Sequence, residues 1–398
     1  MNKFRFFLPT TVYFGDGEFV RIKKVAPQIG KTALIVIGQG SVKKQGYLEQ
    51  LKKYLDQVNI KHEVFEGIEP NPRSTTINAA GKKAKEMKAD MLIALGGGSV
   101  MDAVKGIAIV AKGECDIWDY CSTQEKSAKS PAAALPIICI PTLAATGSEV
   151  NGGSVITNFE TKQKSVLYSQ TVIPKISIID PELTISVPKE YLVDGAIDVI
   201  CHAIESYISN PKEVNIPDYV TLGIIRTVKN SIEKLLKDPS DKEARSDLSW
   251  SSTFTMMGIL SARQGGWPIH EIEHAISGIY DVSHGLGLAY LTTPMLEFNE
   301  PYSKEKILRM LGFFFNEDTN HYKDFNKAIS DFKGWLKDIG ALRSLKGSTI
   351  ENIDIKLVAN KTIEVNGNDQ GYIYGAVPMY VNDVEKILEG AFSKTSSI

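Results

Sequence analysis

The stretch "DMLIALGGGSVMDAVKGIAIVAK", residues 90–112, decides the architecture. It opens as an unbroken apolar run, passes through three glycines, and continues with apolar residues at helical spacing. A strand that is apolar on both faces and feeds a helix belongs to a parallel sheet covered on both sides. "TALIVIG" (32–38) and "LPIICIPT" (135–142) are buried strands of the same kind, and "HEVFEG" (62–67) is a further strand. Between them, Tyr47, Leu48, Leu51 and Leu55 mark one helix and the stretch from Ser74 to Lys88 another. "SVITN" and "KSVLYS" flank the polar "FETKQ" as a hairpin would, and "KISIIDPELT" closes the strand-rich half. The opening "MNKFRFFLPTTVYFGDG" reads as a first strand, because Pro9 and Asp16 interrupt it and no small-residue cleavage site follows.

After Val187 helical periodicity dominates, broken by loops near 211–217, 238–241 and 299–303. The expected plan is an α/β N-terminal domain with a Rossmann-like parallel sheet (1–185), followed by an all-helical C-terminal domain (186–398). The cleft between two such domains is the default place for a site.

Composition narrows the function classes. A net charge of -2 argues against nucleic acid or an anionic membrane as the main partner. No apolar run has the length of a membrane span. The four cysteines, Cys115, Cys121, Cys139 and Cys201, lack CxxC spacing, so free thiols and a cytoplasmic location are expected.

Three turns carry phosphate-type chemistry. Gly96, Gly97 and Gly98 lie between strand and helix, where backbone amides and the helix N-terminus attract a pyrophosphate. The bland alternative is a tight turn with Ser99 as N-cap. Asp102 is read as holding a ligand hydroxyl or favouring the helix start, and Lys105 as reaching a phosphate or lying on the surface. The second turn, Gly38, Gln39, Gly40 and Ser41, offers no acid to accept from a ribose 2′-hydroxyl, and Lys43 and Lys44 follow. NADP(H) is therefore favoured over NAD(H). In the third, "IPTLAATGSEV" (140–150), Thr142 and Thr146 supply donors after a buried strand.

Four of the six histidines fall in two short segments of the helical half. In "AIDVICHAIESY", Asp198 and His202 share a helix face. In "GWPIHEIEHAISGIYDVSHG", His270 and His274 share a face and His284 follows a break. "HEIEH" also matches H-E-x-x-H, the zinc peptidase pattern in which Glu271 would be the base. That reading leaves Asp198 and His202 without a role. The competing site is Asp198, His202, His270 and His284, with His274 nearby but off the metal and Glu271 an ordinary helix residue. His62 and His321 are read as surface residues.

Five segments together resemble the iron-dependent (group III) alcohol dehydrogenase family over essentially the whole chain. They are "EPNP" (69–72), "GGGSVMDAVK" (96–105), "PTLAATGSEV" (141–150), "DVICHAIESY" (198–207) and "HEIEHAISGIYDVSHG" (270–285). The resemblance implies a dehydroquinate synthase-like two-domain fold and hydride transfer between NAD(P)H and a small aldehyde. It implies the metal ligands Asp198, His202, His270 and His284, with Fe2+ favoured and Zn2+ the alternative. It puts His274 beside the nicotinamide, where the residue is read as relaying a proton or as packing near the ring. It assigns the nucleotide to Asn71, Gly97, Gly98, Ser99, Asp102, Thr142, Thr146 and Lys164, and to the "DPEL" stretch ending at Leu183. Gln39 and "GWPIH" resemble the butanol dehydrogenase and NADPH-dependent aldehyde reductase branch. A homodimer is implied as well. Glycerol dehydrogenase and dehydroquinate synthase share the scaffold and stand as alternatives.

Overall fold

The structure is a computed structural model; it describes residues 4–123, 127–260, 265–316, 318 and 320–392. Two compact units result: Phe7–Val187, and Pro188–Ile398 together with the residues before Phe7.

The first unit runs β1 (Thr11–Phe14), α1 (Ile22–Ile29), β2 (Thr32–Gly38), α2 (Ser41–Lys44), α3 (Tyr47–Asp56), β3 (Lys61–Ile68) and α4 (Ser74–Glu86). It continues with β4 (Met91–Gly96), α5 (Gly98–Val110), β5 (Ile137–Pro141), β6 (Gly153–Asn158), β7 (Gln163–Tyr168) and β8 (Ile176–Ile179). Six strands form one parallel sheet in the order β1-β8-β5-β4-β2-β3. Alternate residues of the central strands feed two cores. Leu34, Val36, Leu92, Ala94, Ile137 and Cys139 join α4 and α5 on one face. Ala33, Ile35, Ile37, Ile93, Leu95 and Ile138 join α1 and α3 on the other. This double burial is why the strands read as continuous apolar runs rather than alternating ones.

The chain goes from β2 out to β3 and returns to β4 on the opposite side of β2. That reversal is a topological switch point, and the glycine turns sit at the carboxyl ends of the two strands that flank it. The predicted hairpin is a separate antiparallel pair, β6 with β7. Lys162 adopts a left-handed φ of 52° in its turn.

The second unit is α6 (Lys189–Ile208), α7 (Asn215–Lys237), α8 (Lys242–Thr255), α9 (Pro268–Tyr280), α10 (His284–Phe298), α11 (Glu300–Asn316), α12 (Phe325–Asp338), α13 (Ile355–Asn366) and α14 (Val381–Phe392). It is not wholly helical. Between α13 and α14 two two-residue strands, β9 (Ile373–Tyr374) and β10 (Pro378–Met379), pair antiparallel. Two residues are too few to show a period of two, so the sequence hides them. Their effect is specific: a Cβ on Gly266 would lie 1.6 Å from the Tyr374 carbonyl oxygen, so only glycine fits before Trp267. Helix α6 is buried along almost its whole length, packed by α7, α8, α9, α10 and α11.

Candidate metal centre and the nucleotide-type turns

Helix α6 presents Asp194, Asp198, His202 and Glu205 at spacings of four, four and three, which places them along one face. Helix α9 starts at Pro268, whose fixed φ suits a first helical position. It carries His270, Glu273, His274 and Ser277, and ends at Asp281 in the left-handed conformation (φ 53°). The chain then restarts as α10, with His284 its first residue.

Three imidazoles converge on one carboxylate oxygen. Asp198 Oδ1 lies 3.3 Å from His202 Nδ1, 3.3 Å from His270 Nε2 and 3.9 Å from His284 Nε2. The His202 and His270 rings stack with centroids 4.3 Å apart, and Trp267 sets its edge against both. Ligands held 2.0–2.2 Å from an ion at tetrahedral angles sit roughly 3.3–3.6 Å from one another. The His202 and His270 separations match that spacing, and the His284 separation exceeds it slightly.

The outer nitrogens are fixed by two buried glutamates absent from the sequence reading. His270 Nδ1 donates to Glu205 Oε2, and His284 Nδ1 donates to Glu273 Oε2. A carboxylate only accepts, so each Nδ1 carries the hydrogen and each Nε2 is left facing Asp198. Glu205 also accepts from the backbone N–H groups of Ile269 and His270, capping the first turn of α9. One side chain thus sets both the backbone and the ring of His270. Glu273 accepts from Ser277 Oγ, and it packs on Gly287, where a Cβ would fall 2.8 Å from Glu273 Cγ. The spacing of Glu205 from His202 on one helix face could have marked it. Glu273 was overshadowed by Glu271 in the peptidase pattern.

Electrostatics agree with a site built for a cation. Burial alone would raise the Asp198 carboxyl, but His202, His270 and His284 outweigh it and hold it well below the usual range. Burial pushes His202 down to about 3. For His270, burial acts downward, yet Glu205 and Asp198 carry it up to about 10; these carboxylates favour a positive charge there, and a divalent ion would take the place of the Nε2 proton. Among the described residues, His202 Nδ1 is buried with no hydrogen-bond partner. A buried ring nitrogen 3.3 Å from a carboxylate oxygen with no hydrogen bond between them suits a shared cation, so the donor set fits a divalent ion.

Metal-type donors form two groups, Asp198 with His202 and His270, and His274 with Glu273 and His284. The His274 ring stacks on His284, centroids 5.6 Å apart. Glu271 is not an ordinary helix residue: burial, with Glu205 nearby, pushes its carboxyl up to about 8. His321 is exposed as expected, whereas the His62 side chain is only 16% exposed and pairs with Asp56 at 3.0 Å.

In the first unit the turns gather. Gly97, not Ser99, is the N-cap of α5; Ser99 lies in its first turn. A Cβ on Gly98 would meet Thr146 Cγ2 at 2.3 Å, so the glycine is what lets these two turns touch. Thr142 N–H donates to the Gly96 carbonyl at 3.0 Å. Gly38 borders Val100 near the start of α5. Gln39 and Ser41 are exposed on either side of Gly40, which is left-handed at φ 114°. Lys43 is not a free charge: it pairs with Glu66 at 2.8 Å. Lys164 donates to Asn71 Oδ1 at 2.9 Å, joining the hairpin to the "EPNP" turn. Leu183 is buried in the core face that holds Ile178 and Ile140.

Lys105 does not lie on the surface, and both it and Asp102 are engaged within the fold. Lys105 is fully buried and donates to Ser148 Oγ (2.7 Å), Asn151 Oδ1 (3.1 Å) and the Gly153 carbonyl (2.5 Å). Asp102 accepts from Ser148 Oγ (2.6 Å) and Val155 N–H (2.9 Å). Burial lowers the Lys105 pKa and raises that of Asp102, and each partly offsets the other's shift. The pair locks the third turn and the hairpin onto α5.

Comparison with known proteins follows the same lines. Residues 9–181 match the family model "Iron-containing alcohol dehydrogenase", and residues 192–392 match "Fe-containing alcohol dehydrogenase family, C-terminal". NADH-dependent butanol dehydrogenase A of Clostridium acetobutylicum is 31% identical, over 98% of this chain and 100% of its own. NADPH-dependent aldehyde reductase YqhD of Escherichia coli is 30% identical, over 93% and 95%. The crystal structure of an NADH-dependent butanol dehydrogenase A from Thermotoga maritima superposes with a TM-score of 0.91 at 33% identity, covering 98% and 99% of the two chains. The chain belongs to the iron-containing alcohol dehydrogenase family and is an oxidoreductase acting between alcohols and aldehydes.

Proposed function

We propose that this chain interconverts small aldehydes and alcohols, with residues 1–185 binding a nicotinamide cofactor and residues 186–398 holding one divalent metal ion. The observation that carries the reading is the convergence of three imidazole nitrogens on Asp198 Oδ1, two of them oriented by buried glutamates. When bound, the ion supplies Lewis acidity toward a carbonyl oxygen and the nicotinamide supplies the hydride.

Asp198, His202, His270 and His284 are the proposed ligands. One carboxylate and three neutral imidazoles leave a divalent ion with net positive charge, as polarising a carbonyl requires. Four protein ligands with substrate as a fifth would suit Fe2+, with Zn2+ the runner-up. Glu205 and Glu273 hold the Nδ1 hydrogens of His270 and His284 and so keep the inner nitrogens as donors to the ion. His274, beside His284, moves a proton between the substrate oxygen and solvent.

For the nucleotide, Gly97 and Gly98 let the first amides of α5 approach a pyrophosphate, with Ser99, Thr142 and Thr146 beside them. Gly38, Gln39, Gly40 and Ser41 would hold the adenosine ribose, Asn71 and Lys164 would act as a pair, and Asp102 and Leu183 would support the site from within the fold. Neutral Gln39 and Ser41 favour NADP(H), a preference that the Lys43–Glu66 pair keeps modest. The dimer reading rests on β1, an edge strand of the sheet, and on the exposed side chains of Phe4, Phe6 and Phe7. Four free thiols fit a cytoplasmic location, and no helix among the described residues is long and apolar enough to cross a membrane.

The test is a panel of aldehydes assayed with NADPH and NADH on protein of measured metal content. Aldehyde-dependent, chelator-sensitive oxidation of the cofactor is expected. Fully metallated protein that oxidises neither cofactor with any aldehyde would overturn the reading.

A further inference from the structure

His284 is the least secured of the four proposed ligands. Its side chain is 25% exposed, against 9% for His202 and 8% for His270, and it stands 3.9 Å from Asp198 Oδ1 where they stand 3.3 Å. It is also the first residue of a helix, directly after the break at Asp281–Ser283, and the amide side of a helix start has no intrahelical bonds to hold it. Glu273 on α9 fixes its Nδ1; something outside α10 must also fix the backbone that carries the ring.

Asp194 does so from α6, one turn before Asp198. Its Oδ2 accepts from Ser283 Oγ at 2.5 Å. Gly285 lies flat against it: a Cβ there would be 2.5 Å from both the Asp194 Cβ and its carbonyl oxygen. Both chain neighbours of His284 are therefore pinned to one residue. Arg343, in the segment after α12, holds Asp194 in turn. Its Nη1 and Nη2 donate to the two carboxylate oxygens at 2.7 Å and 3.0 Å, a two-point contact that fixes the plane of the carboxylate. The Arg343 carbonyl accepts from Tyr290 Oη on α10 at 2.5 Å, which closes a ring from α6 through Arg343 to α10. Arg343 also neutralises a carboxylate that stands one helical turn from Asp198.

We infer that Asp194 and Arg343 are positioning residues that set His284 as a metal ligand, acting through Ser283 and Gly285. The inference rests on the reading of His284 as a ligand. Neither residue touches the ion or substrate; their effect runs through the placement of one imidazole.

The measurement is the zinc dissociation constant of the full chain, by chelator competition, in wild type, Arg343→Met, His284→Ala and the double variant. Circular dichroism and melting verify folding. Arg343→Met alone is expected to weaken zinc binding by about 10- to 100-fold, the usual range for groups that orient a ligand. In the His284→Ala background the same change should alter affinity by less than about twofold, because the ligand it positions is gone. Arg343→Lys should fall between, since lysine keeps the charge but not the two-point contact. If Arg343→Met does not fold, Ser283→Ala takes its place in the same cycle, with a weakening of several-fold expected. Unchanged affinity in the single clamp variant, beside a loss in His284→Ala, overturns the positioning role and leaves the ligand reading standing. Equal weakening in both backgrounds also overturns it. Unchanged affinity in His284→Ala removes the ligand reading, and the inference with it.

Discussion

Two buried polar clusters in this chain are built to opposite ends. Around Lys105 the chain satisfies itself: the ammonium has three acceptors, and the Asp102 carboxylate has a hydroxyl and an amide. Around Asp198 it does so only in part: three imidazole nitrogens face a single carboxylate oxygen, of which His270 Nε2 hydrogen-bonds it at 3.3 Å, and among the described residues His202 Nδ1 has no hydrogen-bond partner. Buried polar atoms are nearly always paired, so the first pattern marks a structural lock and the second a place for a cation. Charge, burial and residue type alone would not separate them; what separates them is whether the hydrogen bonds close.

The comparison can be broken at the open end first. His270→Ala should abolish metal binding and lower kcat/KM by at least about 10³-fold, since metal polarisation of a carbonyl is worth several kcal/mol. Metal analysis beside steady-state kinetics checks it; an active, metallated variant would show that the cluster is not the centre. At the closed end, Lys105→Met should destabilise the fold by about 3–5 kcal/mol by stranding a buried carboxylate, with the proposed metal stoichiometry of surviving folded protein unchanged. Denaturant melts with metal analysis test this; stability unaltered by the change would mean the network is not a lock. Between these, Glu205→Gln and Glu273→Gln should each weaken metal binding by about 10- to 100-fold. Chelator competition reads that directly, and wild-type affinity in both would show that the glutamates do not orient the ligands. The smallest effect concerns the ribose end. Glu66→Gln frees Lys43 and should raise kcat/KM for NADPH over NADH by a few-fold, in keeping with an exposed pair worth about 1 kcal/mol or less. A wild-type preference for NADH of tenfold or more, a difference of about 1.4 kcal/mol, would defeat the NADPH reading itself.

Much of this was legible in the sequence because it depended on local pattern. Continuous apolar strands ending in glycine announced the parallel sheet, and Asp198 with His202 announced a bidentate helix face. What the sequence hid was whatever depended on partners far along the chain. Glu205 meets His270 across 65 positions, and Arg343 meets Asp194 across 149. Lys43 looked like a free charge because Glu66 lies on the neighbouring strand rather than in the same turn. Lys105 looked like a phosphate ligand or a surface lysine because helical spacing does not reveal that the loop after β5 folds over it. The two-residue strands β9 and β10 left no periodicity at all, yet they fix the glycine before Trp267.

The central claim is that the open cluster is Asp198, His202, His270 and His284, and that the second histidine of "HEIEH" stands outside it. Metal content of purified His284→Ala and His274→Ala, measured side by side, tests this most directly. His284→Ala should be purified without its metal, its affinity weakened but still measurable with added zinc, while His274→Ala keeps a full complement and loses rate by about 10²-fold. Full occupancy in His284→Ala, or loss of metal in His274→Ala, would contradict the account.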